Sequence, residues 1–252
     1  MYATLRACLV AINLVTMTPL FGGIVLLSAL FRVKDKPGSP YDWCPRWWGI
    51  THLWTAGVRV IEHNTEHKRG AQHIFVANHL GNFDVFALAA KLPWPKFVAK
   101  AELFKVPIMG PAMARVGMIP VERANRKAAF ASYSQATERI TRGASVAVYP
   151  EGTRGNAYPL RPFKKGPFVL AIQAQAPIVP VLVYGALDVQ RKGEFKVYPG
   201  EIHLHYLPAI ETAGMTYDQR DELARRTYEA MAECLRREYG IASPPYGPGR
   251  AD

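Results

Sequence analysis

Hydrophobic positions divide the chain into an apolar opening and a longer remainder that alternates between strand-like and helix-like patterns. From Ala7 to Phe31 no side chain is charged, and a helix of that length reaches across a hydrocarbon core of about 30 Å. The pattern predicts a retained membrane anchor, because a removable signal peptide would have a shorter apolar core and an A-x-A-like cleavage site. Pro19, Gly22 and Gly23 in the middle of the tract predict a kink or an interruption. An interfacial or re-entrant hairpin therefore stands beside a spanning helix. KPGSP at 36–40 breaks the pattern. Apolar positions 47, 50, 54, 58 and 61 then recur at helical spacing, and Trp43, Trp47, Trp48 and Trp54 are side chains favoured at headgroup depth.

Short strand-like runs follow at 73–77, 96–99, 118–121, 145–149 and 178–185, with helix-compatible stretches between most of them. One such stretch, from about 125 to 142, puts Phe130, Tyr133, Thr137 and Ile140 on one face. The alternation predicts an α/β fold, a mixed and largely parallel sheet flanked by helices, preceded by the hydrophobic helical segment. FKVYP and EIHLHYL, joined at Pro199-Gly200, predict a hairpin. A last helix is expected from Thr216, with Gln219 as its capping-box partner, to Gly240, burying Leu223, Thr227, Met231 and Leu235. The division expected is a membrane-associating helical region at 1–64, an α/β domain at 65–240 and a flexible tail at 241–252.

Charge narrows the class of partner. A formal net charge of +11 draws the protein to polyanions, whether nucleic acid, an anionic membrane surface or a phosphorylated substrate. No helix-turn-helix, RNP or zinc-finger signature is present, so no nucleic-acid partner is expected. Arg32, Lys34 and Lys36 after the apolar tract, against Arg6 before it, place the bulk of a spanning protein on the cytoplasmic side. Cys8, Cys44 and Cys234 are odd in number and lack CxxC spacing, which implies neither a disulfide framework nor a zinc ribbon. His203 and His205 alternate on one strand face, but no third ligand at suitable spacing is evident, and His52, His63, His67 and His73 form no constellation. No metal site is expected.

Candidate chemistry begins in FVANHLGNFDVF, residues 75–86, where a strand-like run ends in His79 and Asp84 follows five places later. On one continuous helix residues five apart point to different sides. A strand followed by a turn and a new helix brings them together, with Gly81 expected to supply the bend. Asp84 would then fix the imidazole tautomer and leave the other nitrogen to take a proton, as in two members of a triad. Neither Ser nor Cys lies in this segment and no G-x-S-x-G occurs, so the nucleophile comes from the substrate. A hydroxyl attacking an activated acyl group fits, and so does a pair that merely braces a turn. In VAVYPEGTRGN, residues 146–156, a second strand-like run ends in Glu151, Gly152, Thr153 and Arg154. That supplies a flexible backbone, a hydroxyl and a permanent guanidinium suited to forked recognition of phosphate. Ligands of open α/β sheets gather where strands end.

In these motifs the chain resembles the glycerolipid acyltransferases, and among them the bacterial 1-acyl-sn-glycerol-3-phosphate (lysophosphatidic acid) acyltransferases. The resemblance runs from about Val76 to Val183 through NHLGNFD, KAELFKVPIMG to IPVER, YPEGTR and IVPV, in the family's order and approximate spacing. FKKG at 163–166 matches as well. It implies that His79 is the base and Asp84 its orienter, that Lys100, Arg123 and Arg154 bind the acceptor's phosphate, and that Glu151, Gly152 and Thr153 shape the substrate site. It further implies acyl transfer from acyl-CoA or acyl-carrier protein to the sn-2 hydroxyl of lysophosphatidic acid at the cytoplasmic, or inner, membrane. Membrane lipids are then partners and no cofactor is needed beyond the donor. Gly81, where Ser is frequent, and Asn82-Phe83 depart from the family pattern and leave glycerol-3-phosphate or another lysolipid open as acceptor. Backbone N–H groups near Gly81 or Gly152 are the expected oxyanion donors, and a thioesterase using His79 on water is the rival enzyme.

Overall fold

The computed structural model describes residues 2–70, 72–122 and 136–247. The apolar opening forms one continuous helix, α1 (Tyr2–Leu30), which passes through Pro19 without ending. By length and composition it can cross a membrane. The interruption expected at Pro19 and Gly22 does not occur: proline removes a single helix hydrogen bond, while Gly22 is buried where α1 meets a second apolar surface. A short linker carrying Asp35 leads to α2 (Pro40–Ala56), which starts on Pro40 and ends at the left-handed Gly57. Asp35 accepts hydrogen bonds from Lys96 Nζ at 3.0 and 3.1 Å and from Trp94 Nε1 at 3.0 Å, which pins the linker to the sheet.

Seven strands are described, in the order β1 (Val58–His63), β7 (Gly200–Tyr206), β6 (Ile178–Tyr184), β2 (Ile74–Ala77), β5 (Ser145–Val148), β3 (Pro95–Lys100), β4 (Ile119–Val121). All neighbouring pairs are parallel except β6 with β7. The fold is thus the mixed, largely parallel sheet expected. The helices flanking it are α3 (Asn82–Lys91), α4 (Met109–Val116), α5 (Gly166–Ala174), the single turn α6 (Ala186–Val189) and α7 (Arg220–Tyr239). Residues 136–141 are also helical. Phe130 and Tyr133 of the helix expected from about 125 lie outside the described residues.

Two-residue periodicity sorts the core. Phe75, Ala77, Val179 and Val181 face α3 and, behind it, α2, whereas Ile74, Val76, Ile178 and Leu182 face α5 and α7. Leu223, Thr227, Met231 and Leu235 of α7 are buried as expected. Gln219 Oε1 accepts from the Thr216 N–H, but a 3₁₀ turn at Tyr217–Gln219 precedes the α-helix proper. α1 packs on α2 and α4, with Val25, Cys44, Ala112 and Val116 forming a separate apolar cluster.

Three expectations change. Val58 and Ile61 continue the helical spacing of α2, yet Gly57 stops that helix and they enter β1, an edge strand parallel to β7. The sheet thus begins before residue 64. No hairpin forms at Pro199: residues 195–199 run as irregular chain, because both edges of β7 are taken by β1 and β6. The segment bonds elsewhere, Val197 N–H to Ala3 O and Tyr198 N–H to Val189 O. Finally, the segment after α7 is held as far as Tyr246. Ser243 Oγ accepts from the Leu160 N–H, Tyr228 donates to Pro244 O, and the Tyr228 and Tyr246 rings lie 5.4 Å apart.

The β1–β7 register also places His63 opposite His205, so a third imidazole joins the two on β7. Sequence spacing could not show this, since the partners are about 140 residues apart.

α2 and α3 approach closely at Gly49, where a Cβ would fall 2.6 Å from Phe86 O. Gly49→Val should therefore lower the thermal unfolding midpoint in detergent, with a loss of about 1–3 kcal/mol typical of overpacking. Gly23→Val should leave it near wild type, because among the described residues nothing comes within 4 Å of that Cβ. Equal midpoints for the two variants would contradict this packing.

Candidate active site

β2 and β5 are parallel neighbours, so the loops after them emerge side by side at the carboxyl end of the sheet. The first loop carries His79 and leads into α3, with Asp84 in its first turn. His79 Nδ1 lies 3.0 and 3.2 Å from the two Asp84 carboxylate oxygens. Asp84 Oδ2 also accepts the backbone N–H groups of Leu80 at 2.7 Å and Gly81 at 2.8 Å. The carboxylate thus caps the helix and holds the imidazole with the same atom. Asp84 is fully buried, while the His79 side chain retains 14% exposure. That difference leaves the far side of the ring open.

Gly81 does not supply the bend. Its φ of −161° and ψ of −172° are ordinary extended values, so the turn is fixed by Asp84 gathering two N–H groups. Gly152 is the glycine that needs its freedom, at φ +75° in the second loop.

The second loop grips the main chain of His79. The Gly155 N–H donates to His79 O at 2.7 Å, and in the same loop Arg161 Nε lies 3.4 Å from Glu151 Oε2. Tyr149 stacks on the imidazole, with ring centroids 4.1 Å apart and planes 18° from parallel. Burial, and then the nearby Asp84 charge, raise the Tyr149 phenol well above its usual pKa. Glu151 is buried, and burial pushes its carboxyl up to about 8 against the opposing pull of Arg161. Arg161 braces the loop, donating to Arg154 O, Glu151 O and Thr153 Oγ1.

Of these groups, His79, Tyr149, Thr153 and Arg154 line a cavity of about 570 Å³. His79, Asn82, Tyr149, Thr153, Arg154 and Lys192 give it a polar end, and α1, α2, β3 and α4 give it apolar walls, including Phe21, Val25, Trp48, Val98 and Val116. Arg154 Nη1 donates to Asn82 Oδ1 at 3.0 Å, so the guanidinium sits on the same side as His79. Lys100, at the end of β3, also lines the cavity and pairs with Glu102 at 3.1 Å.

Of the residues expected at the site, His79, Asp84, Lys100, Thr153 and Arg154 thus come together. Glu151 and Gly152 support the loop from beneath. Arg123 lies outside the described residues. Among the N–H groups expected as oxyanion donors, those of Gly81 and Gly152 themselves are occupied, by Asp84 and by Tyr149 O at 3.1 Å. Lys192 and Tyr149 were not singled out by sequence. Tyr149 could have been, as the last strand residue before YPEGTR, whereas Lys192 arrives on an irregular segment without a motif.

The model of the Acyltransferase family matches residues 59–184, and the chain belongs to that family. Among curated relatives, it is 34% identical over 185 residues to the 1-acyl-sn-glycerol-3-phosphate acyltransferase of Limnanthes douglasii, covering 73% of this chain and 66% of the relative. It is 32% identical over 183 residues to the human 1-acyl-sn-glycerol-3-phosphate acyltransferase alpha, covering 71% and 65%. The chain thus spans just under two thirds of the length of these relatives. The crystal structure of the 1-acyl-sn-glycerophosphate (LPA) acyltransferase PlsC from Thermotoga maritima has the same fold, with a TM-score of 0.80 over 96% of this chain and 98% of that one at 21% identity.

The raised Glu151 carboxyl gives a stability test. A carboxyl whose folded pKa lies above its unfolded value contributes stability that is full below the unfolded pKa and is lost as pH rises through the folded one. Wild type should therefore lose stability relative to Glu151→Gln between about pH 4.5 and pH 8 and hold a constant difference above that range. Urea unfolding of both proteins across this range checks it; a pH-independent difference would contradict a buried, protonated Glu151.

Proposed function

We propose that this protein transfers a fatty acyl group from acyl-CoA or acyl-carrier protein to the sn-2 hydroxyl of lysophosphatidic acid, giving phosphatidic acid. The observation that carries the reading is one cavity with His79 and Arg154 at its polar end and apolar walls beyond them. A lysophosphatidic acid has that division: a phosphate, a free hydroxyl a few bonds away, and a long chain. Arg154, Lys100 and Lys192 are the cations the cavity offers to the phosphate, and family resemblance adds Arg123.

In the proposed reaction the free nitrogen of His79 takes the proton of the acceptor hydroxyl as its oxygen attacks the thioester carbonyl carbon. The tetrahedral intermediate collapses with cleavage of the C–S bond. The imidazolium then returns the proton to the departing thiolate. Asp84 holds the Nδ1–H and stabilises the transient positive charge. General base help of this kind is worth about 10² to 10⁴ in rate, and gripping the phosphate orients the hydroxyl, which lowers the entropic part of the barrier. Tyr149 keeps the ring from turning away.

The proposed location is the cytoplasmic membrane, the inner one where there are two, with the α/β domain on the cytoplasmic side. Both ends of α1 touch the same folded body: Ala3 O accepts from Val197 N–H, and Val25 packs with Ala112 and Val116. Leu9, Ile12, Val15, Leu20 and Leu27 nevertheless remain exposed on α1, as do Trp47 and Trp54 on α2. This supports a pair of helices lying in the interface rather than one crossing it. Since α1 also walls the cavity, a lysolipid could enter without leaving the bilayer.

Thiol release by the full chain in mixed micelles should depend on lysophosphatidic acid and fall with glycerol-3-phosphate, with a lysolipid lacking the phosphate monoester, or with water alone. His79→Ala should lower turnover by about 10² to 10⁴, and Arg154→Ala should raise the acceptor KM more than it lowers kcat. Thiol release independent of any acceptor would indicate a thioesterase. Undiminished turnover in His79→Ala would remove the mechanism.

A further inference from the structure

On the α7 side of the sheet, at the β1 edge, three histidines converge away from the cavity just described. In the parallel register of β1 and β7, His63 stands opposite His205, and Ile61 stands opposite His203. Strand alternation then turns His63, His203 and His205 to one face. His63 Nε2 lies 3.0 Å from His203 Nδ1. The His63 and His205 rings are stacked 4.1 Å apart and 4° from parallel. One ring nitrogen from each of the three lies within 4.8 Å of the others.

We propose that His63, His203 and His205 form a binding site for a borderline divalent cation, with zinc as the reference ion. Tetrahedral zinc with Zn–N bonds of about 2.0–2.1 Å sets its nitrogens about 3.3–3.4 Å apart. The 3.0 Å pair is close to that spacing, and ring rotation within the 4.8 Å span brings in the third. Three imidazoles favour zinc, copper or nickel over magnesium or calcium, whose preferred ligands are oxygens.

The surroundings suit ligation. Tyr239 on α7 lies with its hydroxyl 2.7 Å from His205 Nε2, the kind of outer contact that fixes a ligand's tautomer and orientation. Glu201 Oε2 lies 3.6 Å from His203 Nε2, on the far side of that ring from Nδ1, while its Oε1 accepts from Arg59, so the fourth position falls to solvent. His63 and His203 are only half-buried, which gives an ion a way in. Bound there, the cation would bridge the edge strand β1 to β7 beside the end of α7, stabilising the folded chain by mass action.

The test uses the full chain in detergent, with any affinity tag removed, stripped with a chelator, desalted and loaded with zinc chloride. Wild type and His79→Ala should each retain about one zinc per chain by elemental analysis, and zinc should raise their unfolding midpoints. Cobalt should give the intense visible bands of a tetrahedral site. His63→Gln and His203→Gln should each weaken zinc binding by at least about tenfold and abolish the midpoint shift. Their metal-free midpoints show whether they fold, and two positions guard against the failure of one. Zinc retention in the wild type no greater than in the His63→Gln/His203→Gln double variant would overturn the proposal and leave the cluster as a hydrogen-bonded set of neutral rings. The outcome is independent of acyl transfer, since the readouts are metal content and stability.

Discussion

The arrangement of this protein turns on how one residue, His79, is held from every side. Its side chain hydrogen-bonds to Asp84, its carbonyl receives the Gly155 N–H, and its ring lies against Tyr149. These restraints come from two loops that meet only because β2 and β5 are parallel neighbours. Buried hydrogen bonds of this kind contribute modestly to stability one by one, but a lost partner leaves a desolvated polar group that is costly. The imidazole therefore has little freedom to adopt another orientation.

The rest of the fold serves that constraint at increasing distance. The apolar alternation of β2 seats α3 on one face of the sheet and α5 with α7 on the other, and α3 carries Asp84. α2 lies on α3 through the close approach at Gly49, and α1 lies on α2 and α4. The long apolar helix is thereby also a wall of the cavity that His79 lines. Under the proposed function, that wall would couple depth in the membrane to access to the imidazole.

Much of this was legible in the residues, for physical reasons that differ from element to element. The His79–Asp84 pairing is local, five residues across a strand-to-helix turn, so spacing alone could suggest it. The alternating runs at 73–77 and 178–185 announced strands because the period of two is written in the sequence. Features set by long-range pairing were not visible. Val58 and Ile61 kept helical rhythm while Gly57 ended the helix. FKVYP had strand character but found no free edge. The three-histidine cluster needed the β1–β7 register, and Lys192 reached the cavity on irregular chain. Gly81 drew attention as a hinge, whereas the carboxylate of Asp84 makes the turn and Gly152 is the residue that adopts a left-handed conformation.

The central claim, that a carboxylate-held imidazole at this cavity activates an acceptor hydroxyl, is tested most directly by Asp84→Asn. An asparagine keeps the shape but can present its amide N–H to Nδ1, favouring the tautomer that cannot take a proton on the exposed nitrogen. Steady-state thiol release with lysophosphatidic acid, alongside circular dichroism to verify folding, should give a kcat lower by about 10² to 10⁴ with the acceptor KM little changed. A folded Asp84→Asn protein turning over at the wild-type rate would contradict the account.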